Sequence, residues 1–117
     1  MRRFTFIILI AVLCGGLGCK QSGNILGKAP RGETRTVLAI REGLTPRLVT
    51  IQGKMITKCP TAGCWFDLKD KTGAIRVDTK TSGFVVTKIP LQAEVTVSGK
   101  LVFLGDEPVL EATGVRF

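Results

Sequence analysis

Residues 47–79, RLVTIQGKMITKCPTAGCWFDLKDKTGAIRVDT, decide how the rest of this chain is read. Val49 and Ile51 alternate with polar residues, and Gly53 sits in the middle of the run. After the Pro60–Gly63 turn, Cys64, Phe66 and Leu68 take one face, and Trp65, Asp67 and Lys69 take the other. A DKTG turn follows, and Ile75 and Val77 continue the apolar face. Alternation with a period of two, broken by turn residues, predicts strands at 47–59, 64–70 and 74–79. A long strand with a central glycine can bend and serve two sheets. If Asp70–Gly73 form a four-residue turn, Asp67 stands opposite Arg76 and Trp65 opposite Asp78.

Working outward, residues 92–104 carry Ala93, Val95 and Val97 on one face with Gly99 interrupting. A GD turn then leads to a last strand over 107–117. Residues 81–90, TSGFVVTKIP, contain Gly83, Pro90 and the β-branched run Val85, Val86 and Thr87, which leaves room for at most one helical turn. On the N-terminal side, TRTVLAIREGL (34–44) predicts a short helix capped by Thr34 or Thr36, with a strand as the competing reading. Five strands in this order and spacing predict an all-β fold: a five-stranded OB-fold Greek-key barrel with room for one short N-terminal helix. Closing the sheet suits a domain of this size, which gains from having no sheet edges.

Residues 1–18 have the layout of a secretory signal peptide: Arg2 and Arg3, an apolar run from Phe4 to Leu13, then small residues. The run is shorter than the ~20 residues of a membrane span. The sequence GGLGC ending at Cys19 resembles the lipobox of bacterial lipoproteins, with Gly16 where leucine is usual. That resemblance implies lipidation of Cys19 and an exported protein anchored to a bacterial membrane. Lys20 favours the outer membrane over the inner. Residues 19–33 then read as the lipidated cysteine and a flexible tether, with an r.m.s. reach of roughly 20 Å, and residues 34–117 as the barrel domain. The formal charge is +8, of which Arg2 and Arg3 would leave with the leader. Outside the cytoplasm such a surface suits anionic headgroups or cell-wall polymers better than nucleic acid.

The segment GKMITKCPTAGCWFDLKD is similar to a family of small exported bacterial OB-fold proteins of unknown function, related to the tRNA-anticodon-binding type. Gly53, Cys59, Gly63, Cys64 and Trp65 carry the match. The resemblance implies a fold and a location, without any activity or catalytic residue.

The chemistry-bearing residues are few. In an oxidising compartment Cys59 and Cys64 are expected to form a disulfide across the PTAG turn. The alternatives are a redox pair or a thiolate metal site using Cys59 and Cys64. The x4 spacing on a hairpin is unlike a thioredoxin motif, and zinc would need further ligands. No cofactor is implied. The chain has no histidine and no tyrosine, and the acids Asp67, Asp70 and Asp78 each have basic neighbours, so an enzyme is not expected. Trp65, Asp67, Arg76 and Asp78 are the candidate ligand-binding residues, an outward aromatic beside an arginine on the face where OB folds take ligands. The competing reading has segment 34–44 covering Trp65. The expected function is a membrane-anchored, non-enzymatic binding module of the cell envelope, with nucleic-acid binding resting on fold analogy alone.

Overall fold

The computed structural model describes residues 23–117; the expected signal peptide, residues 1–18, and the expected lipidation site, Cys19, lie outside the described residues. Its elements are β1 (Ile25–Gly27), β2 (Thr34–Arg35), α1 (Val37–Arg41), β3 (Leu48–Lys58), β4 (Trp65–Asp70), β5 (Gly73–Asp78), a 3-10 turn at Lys80–Ser82, β6 (Glu94–Leu104) and β7 (Glu107–Arg116). Strands β3 to β7 close in the order β3-β4-β5-β7-β6 and back to β3, with β5 and β7 parallel and the other pairs antiparallel. This is the five-stranded OB-fold barrel expected from the alternation.

Inward residues from every strand of the barrel fill it. Ile51, Met55, Phe66, Leu68, Val77 and Leu110 are among those with no exposed surface. Helix α1 is short because little sustains it. Thr36 caps it by accepting from the Ala39 N–H at 3.0 Å, and only Val37 and Ile40 turn into the core.

Gly53 is where β3 turns from one partner to the other. Residues 48–54 of β3 pair with β6, and residues 54–58 pair with β4. A Cβ at Gly53 would collide with the Lys69 carbonyl oxygen and lie 2.8 Å from both the Lys69 carbonyl carbon and Leu68 Cδ2. The register also slips between Met55 and Thr57, leaving Ile56 as the extra residue of a β-bulge. Gly99 repeats the device on β6, where the register with β7 slips between Ser98 and Gly99.

One expectation changes. Residues 20–33 were expected to be a tether, but from Asn24 onward the chain is zipped onto the barrel. Asn24 and Phe117 exchange backbone hydrogen bonds of 2.7 and 2.9 Å, β1 pairs antiparallel with β7, and Lys28 N–H donates to the Thr113 carbonyl at 3.0 Å. Thr50 donates to the Arg31 carbonyl at 2.6 Å, and an Arg116 guanidinium N–H donates to that of Pro30 at 3.0 Å. Polar Gly-rich sequence carries no apolar period, so backbone pairing with a strand at the far end of the chain left no local trace. Residues 24–117 contain the closed barrel and the whole described core, which is what a domain needs in order to fold on its own.

Candidate functional site

Strand β4 presents Trp65 and Asp67 on its outer side because Phe66 and Leu68 are taken by the core. The two-residue turn at Lys71–Thr72 sets Asp67 opposite Arg76 and Trp65 opposite Asp78, the register expected from the sequence. Arg76 then reaches diagonally. Its guanidinium carbon stands 3.8 Å from the centroid of the Trp65 ring, and its Nε donates to Asp67 Oδ1 at 2.6 Å. The second contact, from a terminal nitrogen to Asp67 Oδ2, is long at 3.5 Å. Arg76 is therefore held in place by a carboxylate on one edge and an aromatic ring on one face. Its side chain keeps 44% of its surface exposed, so the other face and the remaining N–H groups meet solvent. Trp65 itself is half-buried. Helix α1 packs instead near the start of β5, against Gly73.

The three acids of this hairpin have separate tasks. Asp67 holds Arg76. Asp78 accepts from the Lys80 backbone N–H at 2.7 Å and stays beside the stack without joining it. Asp70 accepts from the N–H of Val37 at 2.9 Å with one oxygen. Its other oxygen accepts from the Thr72 N–H at 2.7 Å, the Thr72 hydroxyl at 2.6 Å and the Gly73 N–H at 3.1 Å.

The loop before Trp65 differs from expectation. Cys59 and Cys64, expected to form a disulfide, are not bonded to one another in this structure, and both are half-buried. The β3–β4 register explains their separation. Cys59 N–H donates to the Trp65 carbonyl at 3.0 Å, which continues the ladder and puts Cys59 opposite Trp65. By alternation Cys59 then shares the outer side with Trp65, and Cys64 the inner side with Phe66. The Cys59 Sγ is turned onto its own loop, where the Ala62 N–H donates to it at 3.4 Å and the Thr61 hydroxyl lies 3.7 Å away. Donation from the Ala62 backbone, then from the Thr61 backbone and hydroxyl, brings its pKa from the usual 9.0 down to about 6, against a small opposing effect of burial.

A Cys64→Ser protein should accordingly be alkylated by iodoacetamide at Cys59 with a rate that is half-maximal near pH 6. A midpoint in the ordinary thiol range would show that the loop does not hold a thiolate. No group of three or more His, Cys, Asp or Glu side chains is placed to hold a metal among the described residues.

Sequence reasoning missed a second feature of this surface. Arg35, Lys54, Lys69 and Lys71 line an open groove of about 730 Å³ around Gly53, on the seam between β3 and β4. The net charge was its only trace in the sequence.

No family model and no curated protein matches the sequence. Among solved structures, the chain is similar to the hypothetical protein ygiW from E. coli, at 19% identity and a TM-score of 0.54, over 74% of this chain and 91% of that one. The likeness is one of fold, a small OB-like barrel.

Proposed function

We propose that this chain is a non-enzymatic binding module of the bacterial cell envelope, held to a membrane through Cys19 and taking its ligand on the outer face of β4 and β5. The observation that carries this reading is Arg76, stacked on Trp65 and fixed by Asp67. A guanidinium fixed in this way loses little freedom on binding and offers a flat face and unused N–H donors to a partner. That suits a ring bearing a carboxylate, the chemistry of cell-wall sugars and their peptides. The carboxylates of the hairpin already accept hydrogen bonds within the fold, which favours binding over acid–base chemistry.

The test is titration of residues 20–117 with soluble peptidoglycan fragments, followed by the fluorescence of Trp65 and the amide resonances of β4 and β5. Arg76→Ala should weaken binding about tenfold, in line with loss of one charge-assisted contact and one stacked face. Lys80→Gln should leave it unchanged. Binding untouched by Arg76→Ala, or none at all, would remove the assignment. Anchoring is tested separately: intact mass of the exported protein should show acyl groups on Cys19, and Cys19→Ser should leave the membrane fraction.

A second reading has its own observation. The Cys59 sulfur, which accepts from the Ala62 N–H of its own loop, favours a thiol-based redox or metal-binding protein. Stoichiometric metal in the native protein, lost on alkylation of Cys59, would favour this reading over the first.

A further inference from the structure

We propose that the groove lined by Arg35, Lys54, Lys69 and Lys71 is a seat for the phosphate groups of anionic phospholipids in the bilayer that holds Cys19, so that the barrel lies on the membrane on this side. The proposal rests on the reading of Cys19 as lipidated. Three observations in the fold lead to it.

The first is the arrangement of charge. Lys54 and Lys69 stand directly opposite one another across β3 and β4. Like charges at such a pair are unfavourable unless something of opposite sign lies over them. The β-bulge at Ile56 creates the pair. Had the register of Thr57 with Asp67 and of Lys58 with Phe66 run on without the slip, Lys54 would stand opposite Asp70. The slip removes that partner, and Asp70 turns to the backbone N–H groups of Val37, Thr72 and Gly73. Among the described residues, no ion pair involves Lys54, Lys69 or Lys71. Arg35 is 3.4 Å from Glu33, and Glu94, the remaining acid lining the groove, stands directly opposite Lys54 on β6 without closing an ion pair with it, which leaves Lys69 and Lys71 with no acid facing them across a strand pair.

The second is the shape of the groove. It has about 730 Å³ of open space, and the backbone at Gly53 forms part of its lining. Gln52 and Gln92 add polar atoms at the rim. An open trough of this size with four cationic side chains along it and apolar surface between them fits lipid headgroups, whose phosphates meet the cations.

The third is where the chain leaves the barrel. Backbone pairing with Phe117 holds Asn24, so the stretch from Cys19 to the barrel can span at most about 18 Å when extended. Gly23 lines a second depression with Arg31 and Arg116, and this depression shares Thr34, Gln52 and Glu94 with the basic groove. The leash and the cations therefore open on one continuous side of the molecule. A leash this short keeps that side against the headgroups, where basic residues and an acyl anchor act together.

The experiment uses residues 20–117, which hold the complete barrel and lack the acyl group. Co-sedimentation is measured at low salt with vesicles of phosphatidylglycerol in phosphatidylcholine, and with phosphatidylcholine alone. Binding to the anionic vesicles only is expected. Lys54→Gln with Lys69→Gln should reduce it roughly 25-fold, about fivefold for each cation removed. Removing two like charges that face each other leaves the fold intact, which circular dichroism checks. A control pair, Lys80→Gln with Lys100→Gln, removes the same charge away from the groove and should change binding far less.

Equal losses for the two pairs would mean a diffuse charge effect and would overturn the proposal, as would absence of binding. Displacement from the vesicles by millimolar glycerol phosphate would reassign the groove to a soluble phosphate ligand. The two claims fail separately. An unacylated Cys19 in the exported protein removes the leash without altering vesicle binding by residues 20–117. Lost vesicle binding with an acylated Cys19 removes only the groove.

Discussion

Gly53→Ala in residues 20–117 should lower the melting temperature by roughly 10–20 °C, and Gly53→Val by more. Intrinsic preference points the other way. A glycine inside a strand is less favourable than alanine by about 0.5–1 kcal/mol, and valine is a better strand former still. Packing decides the sign. A Cβ at this position would run into the backbone of Lys69, which belongs to the neighbouring strand of the barrel and cannot move aside as a side-chain tip would. Overpacking of this kind costs about 1–3 kcal/mol, and the upper end applies when the obstacle is backbone. In a domain of this size each kcal/mol moves the midpoint by about 4–8 °C. Thermal unfolding followed by circular dichroism measures it. An unchanged or raised midpoint would mean that β3 does not pass from β6 to β4 through so close an approach.

Asp70→Ala should remove about 2 kcal/mol of stability, the second largest effect. One carboxylate accepts from the backbone at Val37, Thr72 and Gly73 and from the Thr72 hydroxyl, so it joins the start of α1 to the β4–β5 turn. Bonds to a charged acceptor contribute roughly 1.5–3 kcal/mol, and the site's exposure to water keeps the sum near the lower part of that range. The same bonds produce a pH dependence. Burial alone would raise the Asp70 pKa, but the bonds from Thr72, Val37 and Gly73 outweigh it, and the folded value lies below the usual 3.8. A carboxyl whose folded pKa is depressed contributes stability above its unfolded pKa, and that contribution disappears as pH falls through the folded value. Wild type should therefore lose stability below about pH 4 more steeply than Asp70→Ala. Chemical denaturation at pH 7 and pH 3 tests both points. Equal midpoints for the two proteins at pH 7 would show that the turn and helix hold without the carboxylate.

Much of the barrel was legible because its strands are local patterns. Alternation over 47–79 and 92–117, with glycine or proline at each reversal, located all five strands to within a residue or two and gave the Trp65–Asp78 and Asp67–Arg76 pairs. A tight turn between two strands settles their register without reference to the rest of the molecule. The Arg76–Trp65 stack was half legible. The sequence put both side chains on one face, whereas the diagonal reach of the guanidinium depends on the twist of the strand pair. For α1 the sequence offered Thr34 or Thr36 as cap and a strand as the competing reading; the structure forms the helix and caps it with Thr36.

The sequence by itself determined the strands, their inward faces and the β4–β5 register, because side-chain alternation and turn chemistry act over a few residues. Tertiary structure alone decided three things. It drew residues 24–28 onto the barrel through backbone pairing with a strand at the opposite end of the chain, for which polar sequence has no signature. It separated Cys59 from Cys64, because the ladder carries on to Trp65 and puts neighbouring thiols on opposite sides. It set Lys54 against Lys69 and turned Asp70 to the helix, because one bulged residue shifts the register of every pair beyond it. A bulge is the compromise between two strands that must each also pair elsewhere, so no single strand's sequence can announce it.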